Sequence, residues 1–233
     1  MNKIEVCLTP DLIHQHELEG KIVVVVDIFR ATSCIVTGLA NGVSAIKPVG
    51  EIDETLELGK QGYIMAGERG GQKVDGFDMG NSPFEYMEEE LSGKKVAIST
   101  TNGSQAILKS AGAYEILVGA FLNLKATVTY LMEANRSVVI HCAGWKGTVN
   151  IEDTLYAGAL IDELLEEMET TGDSAVLAHQ LYVGNHENTE AIAGESSHAK
   201  RLAGFGVEKD LVFCMTENEY NIVVKLEGDH LVS

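Results

Sequence analysis

The chain has 233 residues and a formal net charge of −18, with 17 Lys and Arg against 35 Asp and Glu. That balance excludes nucleic acid as a partner, because too few cations are present to replace the counterions on a phosphate backbone. Hydrophobic residues make up 45% of the chain, so a substantial core is expected, yet no apolar run reaches the roughly 18 residues of a membrane span.

Met1-Asn2-Lys3-Ile4-Glu5 lacks the basic-then-apolar layout of a secretory leader, and a cytoplasmic protein is expected. Cys7, Cys34, Cys142 and Cys214 follow no paired spacing and read as reduced thiols of the core. With three prolines and no Ser/Gly linker, residues 1–233 read as one unit, any softer boundary falling near 147–172.

In chain order, strands and helices alternate. Ile4–Leu8 reads as a strand, followed by a polar loop with His14 and His16 as solvated side chains. Ile22 to Asp27 is an apolar run closed by a carboxylate, which marks a strand covered on both faces. Ala31–Asn41 then reads as a helix, Ser44–Val49 as a strand, Glu51–Gln61 as a helix and Gly62–Gly67 as a short strand. Lys95–Thr100 feeds a helix over Ser104–Ala111, and Glu115–Gly119 feeds another over Leu124–Ala134. Ser137–Ala143 is the last strong central strand, and Ile151–Met168 the longest helix. Further on, the pattern predicts helices over Ser174–Tyr182 and Ser197–Ala203, and strands over Leu211–Met215 and Ile222–Leu226. Repeated βα units predict a three-layer α/β/α sandwich around a mixed sheet, with antiparallel strands at its edges.

Four polar turns at strand ends carry the chemistry. The first is Asp27-Ile28-Phe29-Arg30-Ala31-Thr32. Two readings of it stand level: a ligand site at the carboxyl edge of the sheet, or Asp27 capping the next helix with Arg30 as its partner. The second turn runs Gly67-Glu68-Arg69-Gly70-Gly71 and on to Gly80. Its five glycines let the backbone wrap closely around a small ligand. Beyond it, Ser82, Pro83 and Glu85 read as a capping box.

The third turn, Ser99-Thr100-Thr101-Asn102-Gly103-Ser104, is rich in hydroxyls before a helix and suits an anion, though its spacing is not that of a Walker A loop. The fourth is His141-Cys142-Ala143-Gly144-Trp145-Lys146-Gly147-Thr148, with Asn150 as a cap and Glu152 and Asp153 in the helix that follows. Acids there also favour the helix dipole. Between Gly147 and Ala199 there is no Lys or Arg against eleven Asp and Glu, so positive charge for an anion must come from elsewhere in the chain or from a metal.

Asp27, Glu68, Glu152 and Asp153 form an oxygen-only set, which suits Mg2+ rather than zinc. Two arginines and an amide-rich turn suit phosphate. Metal-assisted phosphoryl transfer to water is the reaction these parts can run. Two other phosphatase devices are excluded: Phe29 stands where a phospho-aspartate motif needs a second Asp, and Thr148 where a Cys-dependent loop needs its Arg.

Together, Val26-Asp27-Ile28-Phe29-Arg30-Ala31-Thr32, Gly67-Glu68-Arg69-Gly70-Gly71 with Gly76-Phe77-Asp78-Met79-Gly80-Asn81-Ser82-Pro83, and Thr100-Thr101-Asn102-Gly103 resemble the 2-phosphosulfolactate phosphatase (ComB) family. Cys142-Ala143-Gly144 with Glu152-Asp153, then Ser197, Leu202 and Asp210, extend the resemblance over nearly the whole chain. It implies a Mg2+-dependent acid phosphatase that converts 2-phosphosulfolactate to sulfolactate and phosphate, a step toward coenzyme M. It also implies an α/β/α fold and a homo-oligomer, a dimer being favoured.

The resemblance covers Asp27, Arg30, Glu68, Arg69, Asn102, Glu152 and Asp153; from their chemistry, Asp27, Glu68 and Asp153, with Glu152 as the alternative to Asp153, are the expected Mg2+ ligands. Asp27, Arg30, Glu68 and Asp153 are the expected catalytic set. Arg30, Thr100, Thr101, Asn102 and Gly103 are expected on the phosphate, and Arg69 with Gly70 and Gly71 on the sulfonate or carboxylate. The nucleophile is a metal-bound water or a carboxylate such as Asp27, with Cys142 third. Two alternatives stay open: a phosphatase of another phosphoacid or sugar phosphate, and a phosphate- or sulfonate-binding module without turnover. Gly184–Glu195 fits no pattern of the family.

Overall fold

A computed structural model describes residues 1–233. The chain opens with β1 (Asn2–Cys7), a 310 turn at Pro10–Gln15 and β2 (Ile22–Val26), and continues through α1 (Ala31–Ala40), β3 (Ala45–Pro48), α2 (Ile52–Lys60), β4 (Ile64–Arg69) and β5 (Gln72–Lys73). Next come β6 (Lys95–Ser99), α3 (Gly103–Lys109), β7 (Glu115–Gly119), α4 (Leu124–Ala134), β8 (Val138–Cys142) and α5 (Ile151–Leu164). The last third holds β9 (Met168–Thr170), α6 (Asp173–Val183), α7 (Thr189–Gly194), α8 (Ser197–Ala203), α9 (Glu208–Cys214), β10 (Val224–Glu227) and β11 (His230–Val232). No helix is long and apolar enough to cross a membrane.

All eleven strands join one sheet in the order β5-β4-β6-β3-β11-β10-β7-β2-β8-β1-β9. β2 lies deep within it, parallel to β7 and β8, with all five residues at 0% exposure. Helices α3 and α5 both pack on β2, which explains why its sequence is an unbroken apolar run rather than an alternation. All four cysteines are buried and free.

Antiparallel pairing is not confined to the edges. The β10–β11 hairpin sits inside the sheet, antiparallel to β7 on one side and to β3 on the other. It joins two parallel half-sheets, β4-β6-β3 and β7-β2-β8-β1-β9, that therefore run in opposite directions. A flat sheet would send their carboxyl ends to opposite edges. Here they meet: a Cβ on Gly103, just past β6, would stand 2.8 Å from Asp27 Oδ2, just past β2. The sheet bends round so that two carboxyl edges face one another.

Several local expectations change. Leu211–Cys214 is helical, belonging to α9 with Met215 as its C-cap, not a strand. Glu208 and Asp210 occupy the first turn of α9, where acids favour the helix dipole. The long helix stops at Leu164, and Met168–Thr170 peels off as an edge strand on β1. The strand expected near Ile222–Leu226 is β10, over Val224–Glu227, and it is not the last: β11, His230–Val232, follows and pairs with it in a hairpin. Gly184–Glu195 is occupied by a 310 turn, His186–Asn188, and by α7. The capping box at Ser82 is absent: Pro83–Met87 is a 310 helix without a side-chain cap, and Glu85 Oε2 accepts instead from the Gly80 amide at 2.7 Å. His16 is not free in solvent, its Nδ1 lying 2.9 Å from Glu5 Oε2.

Candidate active site

Asp27 follows β2 directly, and its backbone closes the turn. Its amide donates to Thr32 Oγ1 and its carbonyl accepts from the Thr32 amide, both at 3.0 Å. Arg30, not Asp27, holds the N-cap position of α1, and no side chain caps that helix. Arg30 also pairs elsewhere: Nη1 donates to Asp210 Oδ2 in a short charge-assisted bond, and Nη2 reaches Gly71 O at 3.4 Å. Arg30 is therefore not the ion-pair partner of Asp27, and Asp27 does not hold the N-cap position of α1. The Asp27 carboxylate, on a residue 4% exposed, lines a cavity. Burial, with the charges of Glu68 and Glu152 adding to it, raises its pKa to about 7 against the opposing pull of His198 and the Ala31 amide.

The cavity is small and tight, with a volume of about 10 Å3. Asp27, Phe29, Arg30 and Glu68 line it with Gly71, Asn81, Thr101 and Asn102, and Trp145, His198, Arg201 and Leu202 complete the wall. All four strand-end turns thus contribute, together with α8. Thr101 Oγ1 and Asn81 Oδ1 are buried without a partner, at a cost that a bound polar group would offset.

The predicted residues take different places around this cavity. Glu68 is a staple: Oε2 accepts from the Gly71 amide at 2.6 Å and Oε1 from the Thr101 amide at 2.7 Å, tying the second turn to the third. Asp153 does the same between the first and fourth turns, accepting from the Ile28 amide at 2.9 Å and the Gly144 amide at 3.0 Å. Burial holds its carboxyl well above the usual carboxylate range, with Asp27 and Glu152 adding and those two amides opposing.

Arg69 turns away from the cavity, its guanidinium donating to Ser99 O at 3.0 Å and Ser99 Oγ at 2.8 Å. Gly70 and Gly71, at φ of 64° and 90°, form the left-handed turn over which α8 packs. A Cβ on Gly71 would stand 3.0 Å from Leu202 Cδ2 and 3.1 Å from Arg201 Nη1. In the third turn the Thr100, Thr101 and Ser104 amides are already taken by side chains. That turn therefore offers a ligand at most the Asn102 and Gly103 amides, beside the Thr101 hydroxyl. Asn150 does not cap α5; its Nδ2 donates to Glu152 Oε1 at 3.1 Å.

The residues that sequence reasoning missed lie on α8. His198, 4% exposed, places Nδ1 2.8 Å from Glu152 Oε1. Its ring stacks on Trp145 with centroids 6.0 Å apart, and the Arg201 guanidinium stands 4.7 Å from the same indole centre. His198 and Arg201 are three apart, so one helix face presents both. Ser196 caps that helix, its hydroxyl accepting from the Ala199 amide at 2.9 Å. One signal was available in the sequence: Lys200 and Arg201 are the first cations after the long acidic stretch.

As a metal site the four carboxylates do not form a cage. Glu68 and Asp153 give both oxygens to backbone amides, and no three Asp, Glu, His or Cys side chains converge. What the residues do fit is a Mg2+ held by one or two carboxylates, with water and phosphate oxygens completing its shell. Asp27 faces the cavity, and Glu152 Oε2 is buried without a partner.

Comparison with known proteins agrees with the sequence motifs. A family model described as 2-phosphosulpholactate phosphatase matches residues 7–229. A protein of Thermotoga petrophila named "Probable 2-phosphosulfolactate phosphatase" is 43% identical over 209 residues, 90% of each chain. One of the same name from Caldanaerobacter subterraneus subsp. tengcongensis is 39% identical over 226 residues, covering 94% of this chain and 93% of that one. A third, from Clostridium acetobutylicum, is 36% identical over 227 residues, covering 95% and 96%.

Proposed function

The chain belongs to the 2-phosphosulpholactate phosphatase family, and from that premise we propose that it hydrolyses 2-phosphosulfolactate to sulfolactate and phosphate with Mg2+ as cofactor. The observation that carries this reading is the meeting, in one cavity, of the Asp27 carboxylate with two guanidinium groups and a carboxylate-held imidazole. A phosphate ester dianion needs cations and hydrogen-bond donors around its oxygens, and Arg30, the Thr101 hydroxyl and Asn102 supply them. Mg2+ held by Asp27 and Glu152 would offset charge on those same oxygens. His198 is oriented through Nδ1 by Glu152, which leaves Nε2 as the nitrogen that donates a proton to the leaving alkoxide as water, giving up its proton to the Asp27 carboxylate, forms the new bond to phosphorus and the ester P–O bond breaks. Glu68 and Asp153 work at one remove, fixing the turns that carry Thr101, Gly71 and Ile28.

Phosphate release from a panel containing 2-phosphosulfolactate, phospholactate and a sugar phosphate tests the proposal. Turnover is expected in Mg2+, lost in EDTA, and highest in kcat/KM on 2-phosphosulfolactate. A higher kcat/KM on another ester would move the substrate, and anion binding without any turnover would sink the enzyme reading.

Gly103 gives a sharper check of the geometry. An added methyl would sit 2.6 Å from Ala31 Cβ and 2.8 Å from Asp27 Oδ2, so Gly103→Ala pushes the carboxylate out of place. A displacement of that size costs about 100-fold in rate, while the overpacking costs about 1–3 kcal/mol of stability. Near-wild-type kcat/KM in a folded Gly103→Ala variant would show that Asp27 is not positioned for the reaction.

A further inference from the structure

We infer that Arg201 is the residue that binds the second anionic group of the substrate, and so sets specificity for phosphate esters that carry a neighbouring sulfonate or carboxylate. The inference rests on the phosphatase reading above and assigns a part of that same site.

Only two guanidinium groups line the cavity, those of Arg30 and Arg201. The charge of Arg30 is offset by Asp210, its ion-pair partner at 8% side-chain exposure. Arg69, the other candidate, spends its donors on Ser99 and on the Glu68 and Gly50 carbonyls. Arg201 forms no ion pair. Its one hydrogen bond goes to a neutral carbonyl, Gly70 O, at 2.7 Å, and its Nε is buried without a partner. A buried donor without an acceptor, on a cation that forms no ion pair beside a cavity, is the feature a ligand anion would satisfy.

The guanidinium is also pre-positioned. Its cation–π contact with Trp145, at 4.7 Å from the ring centre, and its bond to Gly70 O hold it at the cavity wall. Arg30 and Arg201 bond to consecutive carbonyls, Gly71 O and Gly70 O, so both guanidinium groups are tied to one turn in the wall of the cavity. Two cations held by one turn suit a small molecule that carries two anionic groups. With Arg30 beside Asp27 on the phosphoryl group, Arg201 falls to the sulfonate or carboxylate.

The test uses Arg201→Gln and Arg201→Lys in the full chain, with Mg2+ present. In calorimetric titration with sulfolactate, which carries the second anion and no phosphate, Arg201→Gln is expected to weaken binding about 30-fold or more. Arg201→Lys, which keeps the charge and loses the fork, should recover part of that. In kinetics, the ratio of kcat/KM for 2-phosphosulfolactate to that for phenyl phosphate should fall about 30-fold in Arg201→Gln, the change lying mainly in KM. Equal losses on both esters would overturn the inference, because a merely structural role for the Arg201–Gly70 contact would give them. Sulfolactate binding that is absent in the wild type, or undiminished in Arg201→Gln, would overturn it as well. If the wild type hydrolyses no ester but binds sulfolactate through Arg201, the phosphatase reading fails, and with it the role in ester specificity, while the assignment of Arg201 to the second anion stands.

Discussion

Replacing Asp27 by Asn is expected to abolish turnover and, at pH 8, to raise the melting temperature. The gain in stability follows from the raised carboxyl pKa, about 7 in the folded chain against an ordinary 3.8. Below the ordinary value the side chain is neutral in both folded and unfolded states, so burial costs nothing extra. As pH rises through that window the unfolded chain ionises first, and the folded state loses stability until its own carboxyl has ionised near pH 7. Asn removes this loss, which is on the order of 2–4 kcal/mol above pH 7. For a chain of this size that corresponds to roughly 5–10 °C.

Melting curves of both proteins at pH 4 and pH 8 check the sign: the difference should be small at pH 4 and full at pH 8. Added Mg2+ should raise the wild-type melting temperature at pH 8 and leave Asp27→Asn unmoved, because a ligand stabilises only the state that binds it. A variant that is less stable than wild type at pH 8, or that still turns over substrate, would refute the assignment of Asp27 as a residue held at a cost for function.

The second large effect concerns Arg30 and Asp210. Each is almost wholly buried, and they meet in a charge-assisted bond. Asp210→Ala removes one partner and leaves a buried guanidinium uncompensated, which costs about 3–5 kcal/mol, or roughly 10 °C in melting temperature. The same change frees Arg30 toward the cavity that it lines. Inorganic phosphate should therefore stabilise Asp210→Ala more than it stabilises the wild type, and bind it more tightly. Thermal melts across a phosphate titration measure both. A variant as stable as wild type, or one that phosphate stabilises no further, would show that Asp210 does not hold the Arg30 charge.

Much of the site was legible in the sequence, since its turns are short and continuous. Asp27 through Thr32, Glu68 through Gly71 and Thr101 through Gly103 each carry their chemistry within a few residues, and the cavity collects members of all three. What the sequence does not show is which charged groups also brace the backbone. Glu68 and Asp153, read as metal ligands in sequence, each accept from two amides of neighbouring turns, and Glu68 lines the cavity as well. Arg69 looks like an anion ligand, yet it braces β4 against β6 through Ser99. A carboxylate or guanidinium beside a glycine-rich backbone satisfies amides and carbonyls as readily as it satisfies a substrate, and composition cannot separate the two uses.

By itself, the sequence determined the central strand β2, the turn that follows it and most of the βα units. These rest on hydrophobic runs and helix periodicity, which act over ten or twenty residues. Only the tertiary structure decided the rest. The partner of Arg30 lies 180 residues away. The C-terminal hairpin enters the middle of the sheet, turning two opposed half-sheets so that Gly103 rests on Asp27. Helix α8 then covers the cavity with His198 and Arg201. Strand order and cross-chain contact depend on which surfaces bury one another best, and that choice is made by the whole core rather than by any local stretch.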